Sequence, residues 1–577
     1  MNNYKRSPLE QALTLVNRAA ELAWDYQGEG LRTMEKGLLE GLCPDLSLEG
    51  AQKRAKLGVD ILDLLNQVDD EQLPHDYALT SKLLRHYASS WSKDADRYWL
   101  AIDPVGAFFH GPFFQTPYTG GFVFSGLGQC LSAFQFKKDG DGERYIAAVS
   151  DLVIMLRQVH ERTAGQAERG IRIFKPQLPG SRSLMAGVAA QMASVIPVDP
   201  ARLAALSNAD AVRVAIDQRA ADVARGFADL IAQLDEKYEA AAPDGVGMSQ
   251  LPGGAEVYAE LAAMHTTMNL TPEQIHARGH ERMGRIEAQM AEVRAQLGFS
   301  GTALEFAAHL RGPHGGVAKD ADEVGERMRK HKDRLEQRYE EFFAVRSPNE
   351  YDLVRLHESL ESTMSWGYYA NPSPYEKRGL YHYNGSKLDS LAVIGAASLV
   401  FHELVPGHHL HMSLQTVNND LPPLRKNATV NAYNEGWAEY AATLTGEMGL
   451  YDDPYDRYGR LAMDAFLTSR LVVDTGMNAL GWSLDRAQQY LADHTLCSPQ
   501  EIGTDTIRYS CSIPAQALAY KLGDEEILRM RQRVMDQLKG DFSYPHFHSA
   551  VLDVGALPLP VLEWHLGKTY GLSASAQ

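Results

Sequence analysis

Along most of this chain apolar residues recur at intervals of three and four positions with polar residues between them, the period of an amphipathic helix. Residues 9–24, 49–68, 76–87, 144–162 and 201–239 carry that pattern, and so, with more charge, do 272–297 and 323–343. Thr271-Pro272-Glu273-Gln274 reads as a helix start, with a hydroxyl at the N-cap, proline in the first turn and an acid beside it. Two stretches depart from the period. Residues 101–128, rich in phenylalanine, glycine and proline (Phe108, Phe109, Gly111, Pro112, Phe113, Phe114), predict an irregular, aromatic-lined loop. Leu380-Tyr381-His382-Tyr383-Asn384 alternates like a short strand broken by Gly385, after an aromatic, turn-forming stretch from Trp366 to Tyr375. Such a strand commonly forms a cleft edge, where a peptide can add as a further strand. The predicted class is mainly α. Pro243-Asp244-Gly245 and Leu251-Pro252-Gly253-Gly254 mark the boundary between an N-terminal helical lobe, residues 1–245, and a second lobe, residues 246–577.

Composition adds limits. At 577 residues the chain exceeds what a single core of ~250–300 residues organises, in keeping with two lobes. The formal net charge of −18 is spread along the chain, so a phosphate backbone would meet general repulsion, which argues against a nucleic-acid partner. Cys43, Cys130, Cys497 and Cys511 are far apart and form no C-x-x-C pair, the usage of buried thiols in a reducing compartment. No uninterrupted apolar run follows Lys5 and Arg6, and nowhere do ~18 apolar residues run together. The expectation is a cytoplasmic protein with no membrane partner.

Candidate chemistry concentrates at Phe401-His402-Glu403-Leu404-Val405-Pro406-Gly407-His408-His409-Leu410-His411. Histidine is the commonest metal ligand, and a glutamate directly after the first histidine is where H-E-x-x-H zinc hydrolases keep their general base. Here the position four after His402 is Pro406, and histidines follow only at 408 and 409. In an unbroken helix residues six apart are rotated by about 240° and separated by ~9 Å along the axis, too far to share an ion at ligand bonds of about 2.0–2.1 Å. Pro406 cannot donate to the carbonyl of His402, and Gly407 admits backbone angles other residues resist. A bulge or kink there would swing His408 back toward His402. His409 keeps the face of His402 but sits ~10.5 Å along an ideal helix, so His408 is the favoured ligand and His409 a packing or supporting residue. A third protein ligand is offered by Glu435 in Asn434-Glu435-Gly436-Trp437-Ala438-Glu439-Tyr440, with Glu439 one turn later as ligand or as partner of a metal-bound imidazole.

These residues resemble a bacterial family of unknown function, DUF885. The likeness runs through His402-Glu403-x-x-Pro406-Gly407-His408-His409 and Glu435-Gly436-Trp437-Ala438-x-Tyr440. It continues in Arg470-Leu471-Val472-Val473-Asp474-Thr475-Gly476, Arg508-Tyr509 and Pro514-x-Gln516-Ala517-Leu518-x-Tyr520-Lys521-x-Gly523. The pattern departs at Asn478, where the family often has histidine. The family is similar in turn to helical gluzincin peptidases such as carboxypeptidase Taq, whose H-E-x-G-H form sets His408 against their second histidine. That similarity implies a large multi-helix zincin-like fold with a deep central cleft, one Zn²⁺ held by His402, His408 and Glu435, and Glu403 as general base toward a short peptide. Within it Tyr520 or Tyr509 would donate to the oxyanion and Arg508 would clamp a substrate carboxylate. Tyr383 and Arg470 would line the substrate cleft, Arg470 paired with Asp474 one helical turn on. The rival expectations are a metal-dependent hydrolase or lyase of a non-peptide amide or modified amino acid, and a non-catalytic binding protein.

Overall fold

A computed structural model describes residues 7–27, 39–104, 110–312, 317–357, 361, 366–372 and 376–573. It is mainly helical, 68% helix against 3% strand, with one three-stranded sheet. Two compact units account for the chain: Met1–Leu261 with Ile507–Pro514, and Ala262–Thr506 with Ala515–Gln577. The division drawn from the sequence at 245/246 falls inside the first of these.

In the first unit, α1 (Pro8–Gln27), α2 (Leu48–Leu65) and α3 (His75–Trp91) pack on one another. Gly58 lets α2 approach α3 so closely that a Cβ there would meet the backbone of Ala88 and Ser92. A second layer comprises α4 (Phe122–Ala133), α5 (Gly140–Glu168), α6 (Leu178–Val195) and α7 (Ala209–Gln233), around Phe124, Leu152, Met185, Ile216 and Phe227. Residues 101–128 are therefore only partly the irregular loop expected: the chain enters a wide helical turn at Pro117–Gly121 and then α4. Phe124 and Leu127 bury one face of α4, a helical spacing hidden in the sequence among the glycines. Phe108 and Phe109 lie outside the described residues. The expected helix at 201–239 is likewise interrupted, into Pro200–Leu203, α7 and Glu236–Ala240.

In the second unit, α8 (Pro272–Gln296) has the predicted N-terminus: Thr271 and Gln274 cap each other's backbone N–H reciprocally. The region 323–343 is not one helix but α9 (Ala321–Arg334) followed by short turns. The sheet contains β1 (Tyr351–Arg355), β2 (Gly367–Ala370) and β3 (Gly379–Tyr383), in the order β1-β3-β2. The strand foreseen at 380–384 is β3, and it is central, parallel to β1 and antiparallel to β2. Both its hydrogen-bonding edges are used, so no peptide can add to it; the expectation of a cleft edge there is wrong. The site helices follow: α10 (Ala396–Glu403), α11 (His408–Val417), α12 (Asn431–Glu447), α13 (Pro454–Asn478), α14 (Leu484–His494) and α15 (Ala519–Leu538). α12 is buried on every side, and α15 packs along it through Gly436 and Gly523, where a Cβ on either glycine would run into the other helix's backbone. α13 packs along α8, with Gly279 seated against Leu471 and Val472.

Candidate metal centre

The six-residue spacing of the histidines is resolved by a break. α10 ends at Glu403, α11 begins at His408, and the residues between form a turn with a cis Val405–Pro406 peptide. Hydrogen bonding resumes one residue wide, the N–H of His409 donating to Leu404 O at 3.1 Å. Gly407 lies on the carbonyl of His402 so closely that any Cβ there would overlap it. Pro406 has no N–H to leave unpaired, and its carbonyl accepts from Trp437 Nε1 at 3.0 Å. Trp437 stands on α12 between Glu435 and Glu439, so the turn is pinned to the helix that carries both acids.

The result brings His402 and His408 together, ring centroids 4.8 Å apart and planes nearly perpendicular at 86°. Glu435 Oε2 is 3.3 Å from His408 Nε2 and 3.7 Å from His402 Nε2, and one ligand atom from each of the three lies within 4.8 Å of the others. Tetrahedral ligands at 2.0–2.1 Å stand about 3.3 Å apart, so the group needs little closure to hold an ion. Glu435 Oε2 is buried without a hydrogen-bond partner, as expected of an oxygen whose partner is a cation. The residues present therefore fit a metal ion.

His409 is elsewhere. Its Nδ1 contacts Tyr369 Oη at 2.9 Å and its Nε2 contacts Ser347 Oγ at 2.7 Å and Asn349 O at 3.1 Å, so both ring nitrogens are engaged. Burial lowers its pKa to about 4. His409 packs the sheet against α11 and supplies no ligand.

Around the cluster the charges are arranged for a cation. Glu439 Oε1 accepts from His402 Nδ1 at 2.9 Å, the contact that fixes the tautomer exposing Nε2. Its other oxygen is held by Arg460 Nη2 at 3.0 Å and Lys521 Nζ at 3.3 Å. Lys521, fully buried, also meets Asp464 at 2.8 Å and Asp524 at 2.5 Å, and Arg282 closes the network on those two acids. Burial opposes ionisation of Glu439, but Arg460 and Lys521 outweigh it and hold its carboxyl well below the usual range. Burial likewise opposes a charge on His402, yet Glu435 and Glu439 push its pKa up to about 10. A positive charge at Nε2 is thus favoured. Glu403 differs: burial raises its carboxyl, and the two imidazoles only partly offset that. A raised carboxyl beside the cluster has the character of a proton acceptor and donor.

The matching family model, bacterial protein of unknown function (DUF885), spans residues 29–566. The chain belongs to the DUF885 family. Among solved structures, the putative lipoprotein from Colwellia psychrerythraea superposes with a TM-score of 0.82 at 21% identity, covering 98% of this chain and 99% of that one. A putative lipoprotein of unknown function from Shewanella oneidensis gives a TM-score of 0.69 at 17% identity, covering 97% and 99%. At these identities the likeness is one of fold. No curated protein matches the chain.

The other sites expected of this DUF885 chain are placed variously. Tyr520 lies parallel to His402, ring centroids 6.0 Å apart at 11°, and the Arg470 guanidinium stands over the Tyr520 ring at 4.7 Å. Arg470 reaches Asp505 at 4.0 Å, and Asp474 accepts the N–H of Ala515 at 3.1 Å and the amide of Asn478 at 3.1 Å. Asn478, the departure from the family pattern, thus helps hold Asp474. Tyr383 packs against Gly325 of α9, with Arg329 at its phenol. Tyr509 and Arg508 fall in Ile507–Pro514, part of the first unit, where Arg508 stands over Tyr118 at 4.7 Å. The cluster itself is made of second-unit residues. Sequence reasoning missed Gln516, whose amide donates to Glu435 Oε1 at 3.4 Å, and missed Arg460 and Lys521. Gln516 and Lys521 stood in the motif that carries the resemblance, but no spacing ties them to Glu435 or Glu439.

Proposed function

We propose that this protein is a metal-dependent peptidase acting on short peptides, with Zn²⁺ held by His402, His408 and Glu435. The observation that carries the reading is the His402–His408–Glu435 group beside a half-buried carboxylate, Glu403, that is not part of it. A divalent ion bound there would supply Lewis-acid polarisation of a carbonyl and acidify a water. The rest is the work of the chain. Glu439 orients His402 through Nδ1, and Gln516 orients Glu435 through Oε1. Glu403 takes the proton of the attacking water and returns it to the leaving amine nitrogen. Tyr520, beside His402, is the candidate donor to the developing oxyanion. The likeness to gluzincin peptidases belongs to this proposal, as does the short-peptide substrate.

Among the described residues no helix is long and apolar enough to cross a membrane. The two solved structures named above are called putative lipoproteins, which does not fit the cytoplasmic location expected from sequence.

The test pairs elemental analysis of the purified protein with digestion of a peptide mixture read by mass spectrometry. Zinc near one equivalent and defined cleavage products are expected, with Glu403→Gln retaining the metal and losing turnover. Unchanged turnover in that variant sinks the mechanism. Metal without peptide cleavage, followed by hydrolysis of non-peptide amides, would move the substrate class.

A further inference from the structure

A second group of imidazoles stands in the same unit on other elements. His276 and His280 lie one helical turn apart on α8, with their Nε2 atoms 3.2 Å from each other. His276 is fixed through its other nitrogen: Nδ1 lies 3.1 Å from the carbonyl of Val472 and 2.9 Å from Thr475 Oγ1, both on α13. A carbonyl can only accept, so Nδ1 carries the proton and Nε2 keeps its lone pair. The ring is also held edge-on against Trp482, centroids 5.1 Å apart at 88°. His280 stands edge-on to Tyr490, 5.5 Å at 89°. His276 is half-buried and His280 exposed, so one side of the pair is open to solvent.

A separation of 3.2 Å suits an imidazole–imidazole hydrogen bond, and it is also the edge of a chelate, about 3.3 Å for tetrahedral ligands at 2.0–2.1 Å. Anchoring of the far nitrogen on a backbone carbonyl is what orients metal-ligating histidines. Burial lowers the pKa of His276 to about 4, with His280 adding to the effect, and burial lowers His280 as well. Both rings are therefore neutral near pH 7 and retain lone pairs.

We propose that His276 and His280 form a second transition-metal site, a two-imidazole chelate for Zn²⁺, Cu²⁺ or Ni²⁺ with water completing the coordination. On binding, the hydrogen that His280 Nε2 donates to His276 leaves for solvent and His280 Nδ1 gains one, so no net proton is released. His494, already paired with Glu287 at 2.6 Å, is not required.

The test is calorimetric titration with Zn²⁺ of the full chain after its bound metal has been removed by a chelator, alongside electron paramagnetic resonance with Cu²⁺. Two classes of site are expected in the wild type. His280→Ala should remove one class and the associated Cu²⁺ signal with two equatorial nitrogens, leaving the other class intact; His276→Gln should do the same. His402→Ala should spare the class that His280→Ala removes. Binding and Cu²⁺ spectra that neither the His280→Ala nor the His276→Gln protein alters overturn the inference. Because the exposed His280 contributes little to the core, circular dichroism should report an unchanged fold in that variant. One ion lost with His280 and none with His402 would uphold this site while refuting the proposed catalytic one.

Discussion

Gly407 is the residue at which two histidines six apart become neighbours. Its absent side chain lets the turn fold onto the carbonyl of His402, so Gly407→Ala forces the two segments apart. Overpacking of this kind costs about 1–3 kcal/mol. The variant should melt earlier and purify with little metal, as thermal denaturation and elemental analysis will show. Glu439 acts through His402 rather than on substrate, and removing such a partner typically lowers metal affinity about 10–100-fold. Glu439→Gln should therefore weaken Zn²⁺ binding in a chelator competition, whereas Glu403→Gln should not. Lys521 balances three acids, the buried Glu439 and Asp524 and the half-buried Asp464. Lys521→Met leaves them to Arg282 and Arg460 alone, one cation short, at a cost of about 3–5 kcal/mol in urea unfolding. A loss below about 1 kcal/mol, the worth of an exposed pair, would mean the network is solvated.

At the scale of elements, α12 is the part on which the site is assembled. It carries Glu435 and Glu439, pins the 404–407 turn through Trp437, and meets α15 at Gly436 and Gly523. Trp437→Phe keeps the aromatic bulk but strands the buried carbonyl of Pro406, a loss of about 1–3 kcal/mol. The accompanying prediction is a raised metal dissociation constant, since the turn no longer holds His408 in place; an unaltered constant would show that Gly407 suffices. Asp474 has a related role. By accepting the N–H of Ala515, whose φ is +67°, it stabilises the left-handed turn that presents Gln516 to Glu435.

For the whole molecule, the buried network sets the response to acid. Burial disfavours ionised Asp464, but Lys521, Arg282 and Arg460 outweigh it and hold its carboxyl below its ordinary value of 3.8. A carboxyl depressed by folding contributes stability above its unfolded pKa, and that stability is lost as pH falls through the folded value. Unfolding free energy should therefore hold above pH ~4 and decline below it. In Asp464→Asn the decline should be shallower, as denaturant titrations at several pH values would reveal. The fold was legible in part for the same reason that this network was not. Helices at 9–24, 49–68, 76–87 and 144–162 declare themselves through local periodicity, and the capping box at Thr271 is a four-residue signal. The central placement of β3 depends on partners remote in the chain, and the membership of 507–514 in the first unit depends on contacts that local composition does not record.

The sequence by itself determined the helical class, the family, and the residues His402, His408 and Glu435 that come together, because residue type and a Pro-Gly break are local facts. It favoured His408 over His409 on spacing and on the family likeness, and both nitrogens of His409 prove to be engaged elsewhere. Tertiary structure decided what those residues face: that Glu439 is clamped by Arg460 and Lys521, that Gln516 reaches Glu435, and that Arg508 and Tyr509 belong to the other unit. The physical reason is the same in each case. Charge pairs and hydrogen bonds act over a few ångströms of space, and a folded chain brings to that distance residues that its sequence keeps far apart.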